Sequence, residues 1–168
     1  FAKLRDLTFS RATEIPLNLS SFSLRALLNI CIGKLNPSNN KKVVVNLHPD
    51  TDITITADKI HLINIIDNLL ENAVKYSRED VHIEIDYQEQ DNDSIRISVK
   101  DNGLGISKSD SRHIFEKFYR SRAVIDKGIP GMGLGLTYVR MLVEAHRGTI
   151  RIESEQTSGS TFFIELPQ

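Results

Sequence analysis

Residues 68–76 read Asn-Leu-Leu-Glu-Asn-Ala-Val-Lys-Tyr, and the polar side chains in this run fall at a spacing that can do chemistry. At 100° per residue, Asn68, Asn72 and Lys75 share one face of a helix, with Glu71 and Tyr76 beside them. Leu62, Ile66, Leu69, Leu70 and Ala73 share the other face and would pack on a sheet. Asn68 and Asn72 are four apart, so they are surface neighbours. A polar face of this kind can simply be solvated. Asparagine is a mediocre helix former, however, and a solvated face would more naturally use Glu, Lys or Gln. An asparagine offers a neutral carbonyl oxygen to a hard cation, and Mg2+ commonly takes one or two protein oxygens, several waters and phosphate oxygens. Lys75, one turn on, is placed to meet a phosphate, and Tyr76 to lie against a base.

Three glycine-bearing segments follow. Asp101-Asn-Gly103-Leu-Gly105-Ile106 comes directly after a strand pattern, Gly131-Met-Gly133-Leu134-Gly135-Leu136 directly before a helical one, and Gly159-Ser-Thr161-Phe enters the last strand. Glycine permits close backbone approach and positive φ, and a glycine-rich turn opening a helix presents free N–H groups to phosphate. The two common nucleotide loops do not match. Gly33-Lys34 is followed by Leu35 where a P-loop needs Ser or Thr, and a dinucleotide fingerprint from Gly131 would need glycine at Leu136. Asp101 is either a turn-forming aspartate at a strand end or an acceptor for an exocyclic amino group such as adenine's. Between residues 111 and 130, Arg112, Lys117, Arg120, Arg122 and Lys127 stand against Glu116 and Asp126 in a chain whose net charge is −1. That basic excess, with Phe115, Phe118 and Tyr119, fits a surface helix of mixed charge or a hinged lid over a polyphosphate.

The elements that must hold these residues are legible from patterning. Residues 17–22 alternate as a short strand, Ser23 caps a helix to about residue 35, and residues 36–40 form a loop. Residues 43–47 and 52–56 are expected as a strand pair around the turn His48-Pro49-Asp50. Asp58 caps the long helix to Tyr76, residues 81–88 and 94–100 alternate as strands, and a helix spans about 134–146 before strands at 149–154 and 161–166. The stretch 101–133 carries few regular signals, and such long loops are often lids or binding loops. These patterns predict an α+β fold, a two-layer α/β sandwich with a mixed sheet of about five strands packed on three helices. Residues 17–168 are expected as one domain, and residues 1–16 as the end of an incoming helix with its linker.

Composition narrows the function classes. With 168 residues and 40% apolar content, one core is the default. The near-neutral balance points to neither nucleic acid nor an anionic membrane surface. The lone Cys31 excludes an intrachain disulfide and reads as a small core residue. No apolar run approaches the ~18 residues of a membrane span. The chain begins at Phe1, which suggests a piece of something longer.

These parts in this order resemble the GHKL (Bergerat) ATPase superfamily and, more narrowly, the catalytic domain of two-component sensor histidine kinases. Residues 68–77 look like the N box, Asp101 to Ile106 like the first glycine box, Ile114-Phe115-Glu-Lys-Phe118-Tyr-Arg120 like the F box, Gly131 to Leu136 like the second glycine box, and Gly159 to Phe162 like the third. The resemblance covers about residues 17–166. It implies ATP and Mg2+ as cofactors, with Asn72 on the metal, Asn68 facing the phosphates, Lys75 on a phosphate and Tyr76 by the base. Asp101 would bind the adenine amino group and Arg120 the terminal phosphate, so Asn72, Lys75 and Arg120 would carry the transfer. Gly131, Gly133 and Gly135 would form the lid hinge and phosphate loop, and Phe115 and Phe118 would anchor the lid. Gly103, Gly105, Ile106, Phe118, Leu134, Leu136 and Thr161 would complete the nucleotide site. The family often has His-Gly-Gly where this chain has His146-Arg147-Gly148. None of His48, His61, His82, His113 and His146 lies in a phosphoacceptor setting. The implied partners are therefore a separate dimerisation and phosphoacceptor domain and a response-regulator receiver domain, in a homodimeric and cytoplasmic setting. An ATP-gated conformational module, with Glu71 as its candidate acid, and an anti-sigma-type serine kinase are the alternatives.

Overall fold

The structure, a computed structural model, describes residues 15–36 and 41–168. The helix end expected over residues 1–11, and most of the loop at 36–40, lie outside them. In chain order the elements are β1 (Leu19–Ser23), α1 (Leu24–Gly33), β2 (Lys42–His48), β3 (Thr54–Asp58), α2 (Lys59–Tyr76), β4 (Asp80–Gln90), β5 (Ser94–Asp101), the short α3 (Arg122–Asp126), α4 (Gly135–Ala145), β6 (Thr149–Glu155) and β7 (Gly159–Pro167). A single 3-10 turn, Asp110–Arg112, interrupts the irregular stretch before α3.

Alternation builds the sheet. Val81, Ile83, Ile85 and Tyr87 of β4, Ile95, Ile97 and Val99 of β5, and Phe162, Ile164 and Leu166 of β7 all turn to one face and are buried. The five strands run in the order β2-β4-β5-β7-β6. β2 and β4 are parallel and the other pairs antiparallel, so the sheet is mixed. Helices α1, α2 and α4 cover the apolar face through Leu24, Leu27 and Leu28, through Leu62, Ile66, Leu69 and Leu70, and through Val139, Leu142 and Val143. Burying each such side chain is worth about 1.5–3 kcal/mol. The predicted apolar face of the long helix is thus the face that packs.

The expected pairing of the strands around His48-Pro49-Asp50 does not form. β3 pairs instead with β1 in a separate two-stranded antiparallel ribbon, from Leu19↔Asp58 to Ser23↔Thr54. β2 joins the main sheet beside β4. The intervening turn is held away from a hairpin by side chains. The Arg25 guanidinium donates to the Pro49 carbonyl and, at 3.1 Å, to Asp50, while the Tyr87 hydroxyl donates to the Thr51 carbonyl at 2.7 Å.

Asp58 starts α2 where the sequence places it. Its carboxylate accepts from the Ile60 and His61 amides at 3.0 Å and from the Asn18 amide at 2.8 Å. Its own N–H donates to Nε2 of the buried His146, which follows α4, at 3.0 Å. Burial pushes the Asp58 carboxyl up, but the N–H donors outweigh it and hold the group below its ordinary value. Asp58→Ala is expected to cost about 1–2 kcal/mol at neutral pH, read by urea unfolding. A depressed folded-state value means this stabilisation is present above the ordinary aspartate range and is lost as pH falls through the lowered value. The wild-type and variant curves should therefore converge on acidification.

Candidate functional site

The polar face of α2 meets the N-terminus of α4 in a cavity of about 450 Å³. Asn68, Asn72, Lys75 and Tyr76 line it from α2, Ile106 from the first glycine segment, Arg120 from the lid, and Gly131, Gly133, Leu134, Gly135 and Leu136 from the second glycine segment. Eleven of the sixteen residues expected at a nucleotide site share this one space.

Each is placed by a local cause. Asn68 is buried because α4 crosses it; its amide donates to the Asn64 carbonyl at 2.7 Å. Its Oδ1 would lie 3.2 Å from a Cβ at Gly135, so glycine there lets the two helices approach. The half-buried Asn72 amide makes no hydrogen bond to a described residue, and Lys75 makes no ion pair to one. The Lys75 ammonium lies 5.2 Å from the Tyr76 ring centroid and would be 2.6 Å from a Cβ on Gly131. Gly133 has φ +70°, and a Cβ there would meet the Tyr119 carbonyl oxygen at 2.6 Å. The α4 N-terminus has no side-chain cap and no acidic residue in its first turn. Its free N–H groups and the positive end of its dipole therefore face the cavity. With Lys75 and Arg120 on the walls, the site is built to receive an anion.

Five expected residues do not line this cavity. Asp101 ends β5 on the helix-covered face, buried, and accepts from the Gly103 amide at 2.7 Å. Burial pushes its carboxyl above the ordinary aspartate value, although the Gly103 and Ser160 amides pull the other way. A Cβ on Gly103 would meet Asp101 Oδ1 at 2.7 Å, the Tyr76 carbonyl at 3.0 Å and Ser77 Oγ at 3.3 Å. These groups form a small polar pocket next to Tyr76. Gly105 is glycine for the protein's sake: its φ is +67°, and a Cβ would fall 1.9 Å from the Glu155 carbonyl.

Two expectations are corrected. Thr161 sits across from Lys100 and Glu153 on the outer face of the sheet, because Phe162 beside it fills the core and side chains alternate. Ser160, buried opposite Asp101, takes the position expected of Thr161. Phe118 does not anchor the lid: its ring is 70% exposed, and only its backbone binds, donating to the Gly133 carbonyl at 2.9 Å. Phe115 does anchor, packing on the core with its carbonyl accepting from the Thr137 hydroxyl at 3.0 Å.

Other wall residues carried no sequence signal as ligand contacts, among them Ile114, Tyr119, Val124, Met132 and Tyr138. Ser77, which follows α2, is a further omission. Its hydroxyl is buried beside Asp101 with no hydrogen-bond partner among the described residues. A second hollow of about 740 Å³ shares Glu71 and Lys75 with the first and runs behind residues 127–130. It holds none of the glycine segments, so the anion-receiving chemistry belongs to the smaller space.

Sequence comparison agrees with this geometry. The family of histidine kinase-, DNA gyrase B- and HSP90-like ATPases matches residues 57–168. The chain belongs to that family. Within it, the chain is 40% identical over 129 residues to the sensor protein RprX of Bacteroides fragilis, covering 76% of this chain and 25% of the relative. It is 37% identical over 121 residues to the sensor histidine kinase WalK of Bacillus subtilis, covering 71% and 20%. The chain thus spans about a fifth to a quarter of these relatives. Among solved structures, full-length ShkA in complex with AMPPNP superposes with a TM-score of 0.81 at 28% identity, over 93% of this chain and 32% of that one. The mycobacterial sensor histidine kinase MprB shares the fold at a TM-score of 0.73 and 24% identity, over 88% and 96%.

Gly133→Ala tests the hinge. The added methyl meets fixed backbone at a positive φ, so the lid must shift away from α4. Adenine-nucleotide affinity in a calorimetric titration should fall at least tenfold. Gly128→Ala, with equally positive φ but open space around it, should leave affinity within about twofold.

Proposed function

We propose that this chain is the ATP-binding catalytic domain of a sensor histidine kinase. It would bind Mg-ATP and present the γ-phosphoryl group to a histidine on a separate dimerisation domain, for onward transfer to a receiver domain. The observation that carries this reading is the convergence of Asn72, Lys75, Arg120 and the uncapped α4 N-terminus on one cavity. The AMPPNP complex of ShkA, a protein of the same fold, supports a nucleotide as the occupant.

The residues fit a magnesium ion. Asn72 offers an amide oxygen with no partner among the described residues and Asn68 lies one turn away, a donor set suited to an ion that keeps its waters and takes phosphate oxygens. Bound there, the ion would neutralise phosphate charge. Lys75 and the α4 amides would hold the polyphosphate, and Arg120 the charge developing on the terminal group. Asp101 and Ser77 would read the adenine edge. In the transfer, an imidazole nitrogen forms a bond to the γ-phosphorus as the bridging P–O bond breaks and its electron pair leaves on ADP. The imidazole proton goes to a base outside this chain. The protein's contribution is positioning and electrostatics rather than covalent catalysis.

No helix among the described residues is long and apolar enough to cross a membrane. A cytoplasmic setting, a homodimeric parent protein and the linker role of residues 1–16 belong to this proposal. The hydrolytic alternative is favoured by one observation, that Glu71 lines the cavity. Steady ATP turnover abolished by Glu71→Ala would replace the kinase reading with that one.

Titration of ATP with and without Mg2+ is the direct test. Asn72→Ala should lower Mg-ATP affinity at least tenfold and remove its metal dependence; affinity that needs neither would end the proposal. The isolated chain should bind ATP yet not label itself on histidine. Asp101→Asn should weaken ATP while leaving thermal stability unchanged or raised. A carboxyl whose value is raised by burial favours folding only below its unfolded value, and that contribution is lost as pH rises through the folded one. At neutral pH its removal is no loss to the fold.

A further inference from the structure

The limb of the lid that carries Arg120 is held by a side chain to which the transfer chemistry assigns no part. Asp110 opens the 3-10 turn, and both its carboxylate oxygens are engaged. Oδ2 accepts from the Ser107 hydroxyl at 2.7 Å, while the Asp110 amide donates back to Ser107 Oγ at 3.0 Å. Oδ1 accepts from the Tyr119 hydroxyl at 2.6 Å, bridging nine residues of lid. Hydrogen bonds to an ionised acceptor are short and roughly twice as strong as neutral ones.

Tyr119 occupies a pivotal place. Tyr119 lines the nucleotide cavity, and its carbonyl lies where a Cβ on Gly133 would fall. Phe118 before it has φ +65° and is bonded to Gly133; Arg120 after it reaches into the cavity and donates to the Ile129 carbonyl. Beside the hinge bond, the Tyr119 amide donating to the Glu116 carbonyl at 3.3 Å and the Arg120 bond to Ile129, the phenol is the side-chain bond that ties this turn back to Asp110. Its neighbours are His113, whose ring lies 5.5 Å away and is paired to Glu116 at 2.8 Å.

We propose that Asp110 is a positioning residue, acting through the Tyr119 hydroxyl to aim Arg120 at the terminal phosphate of the bound nucleotide. The electrostatics agree: hydrogen bonds from Tyr119 and Ser107 hold the Asp110 carboxyl below its ordinary value, and the same bond pushes the Tyr119 phenol up to about 12. The proposal rests on the kinase reading for its ligand. It makes a demand that reading alone does not make, namely that the clamp is felt at the γ-phosphate and not at the base or the other phosphates.

The test compares Mg-ATP with Mg-ADP. Calorimetric affinities for both are measured on the 168-residue chain as wild type, Asp110→Asn, Tyr119→Phe, the double variant, and each single variant combined with Arg120→Ala. Each single substitution should reduce the preference for ATP over ADP about fivefold, a modest part of one charge-assisted bond, with ADP affinity unchanged within twofold. The double variant should match the singles, and neither substitution should matter once Arg120 is alanine. Equal losses for ATP and ADP, additive effects, or an unchanged preference would overturn the proposal. A thermal melt accompanies each variant; should Asp110→Asn fail to fold, Tyr119→Phe, which removes one oxygen atom, decides alone. A wild type that binds no adenine nucleotide would instead overturn the kinase reading, and this inference with it.

Discussion

Two helices meet at the head of the sheet, where the side chain of Asn68 on α2 reaches the backbone of Gly135 on α4, and the absence of a side chain at Gly135 makes room for it. Asn68 on α2 would press its amide oxygen 3.2 Å from any Cβ at that point, already tighter than ordinary packing. Below the contact, Leu62, Ile66 and Leu69 interlock with Val139, Leu142 and Val143 in a close-packed interior that does not give way. The direction of α4 is therefore set by the core, and its N-terminus is aimed by that direction at the polar face of α2. This docking adds the positive end of the α4 dipole, about half an elementary charge, to the charges of Lys75 and Arg120.

The lid inherits its geometry from the same contact. Gly133 leads into α4, so the position of α4 fixes where the lid must begin its return, and the Phe118 amide closes the loop by bonding Gly133 from the other limb. Phe115 completes the attachment, its carbonyl taken by Thr137 of α4 and its ring beneath the Arg140 guanidinium at 5.9 Å. The lid is thus pinned at both ends to one helix. Its exposed part, including Phe118, Ile125 and Met132, has few partners in the fold. Segments with few buried contacts open at low free-energy cost, which suits a cover over a ligand that must enter and leave.

What could be read from the sequence divides along physical lines. The two faces of α2 were legible because a 3.6-residue period needs nothing beyond the helix itself, and the N-cap at Asp58 is equally local. Strand existence was legible for the same reason. Strand pairing was not: the alternation of Val43, Val45 and Leu47 suits a hairpin with β3 as well as a parallel place beside β4, and the partners that occupy those edges, β1 for β3 and β4 for β2, lie far off in sequence. The error at Thr161 was avoidable, because Phe162, Ile164 and Leu166 mark the core parity and put Ser160 on the inner face. Phe118 and Phe115 offer no such period. Two aromatics three residues apart in an irregular segment look alike until the positive φ at Phe118 turns one ring outward.

The polar pocket beside Tyr76 shows the opposite economy from the core. Asp101 is a carboxylate buried against its own preference, and Ser77 is a hydroxyl with no hydrogen-bond partner among the described residues. Each works against folding, since a buried polar group that loses water without full replacement destabilises by about 1–3 kcal/mol. The Asp101 carboxylate takes the Gly103 and Ser160 amides, which holds the turn after β5, whereas the Ser77 hydroxyl holds nothing among the described residues. Buried polar groups left short of partners are those that a hydrogen-bonding molecule from outside can complete. In the kinase reading proposed above that partner would be the adenine ring, since both groups stand beside Tyr76, which lines the cavity.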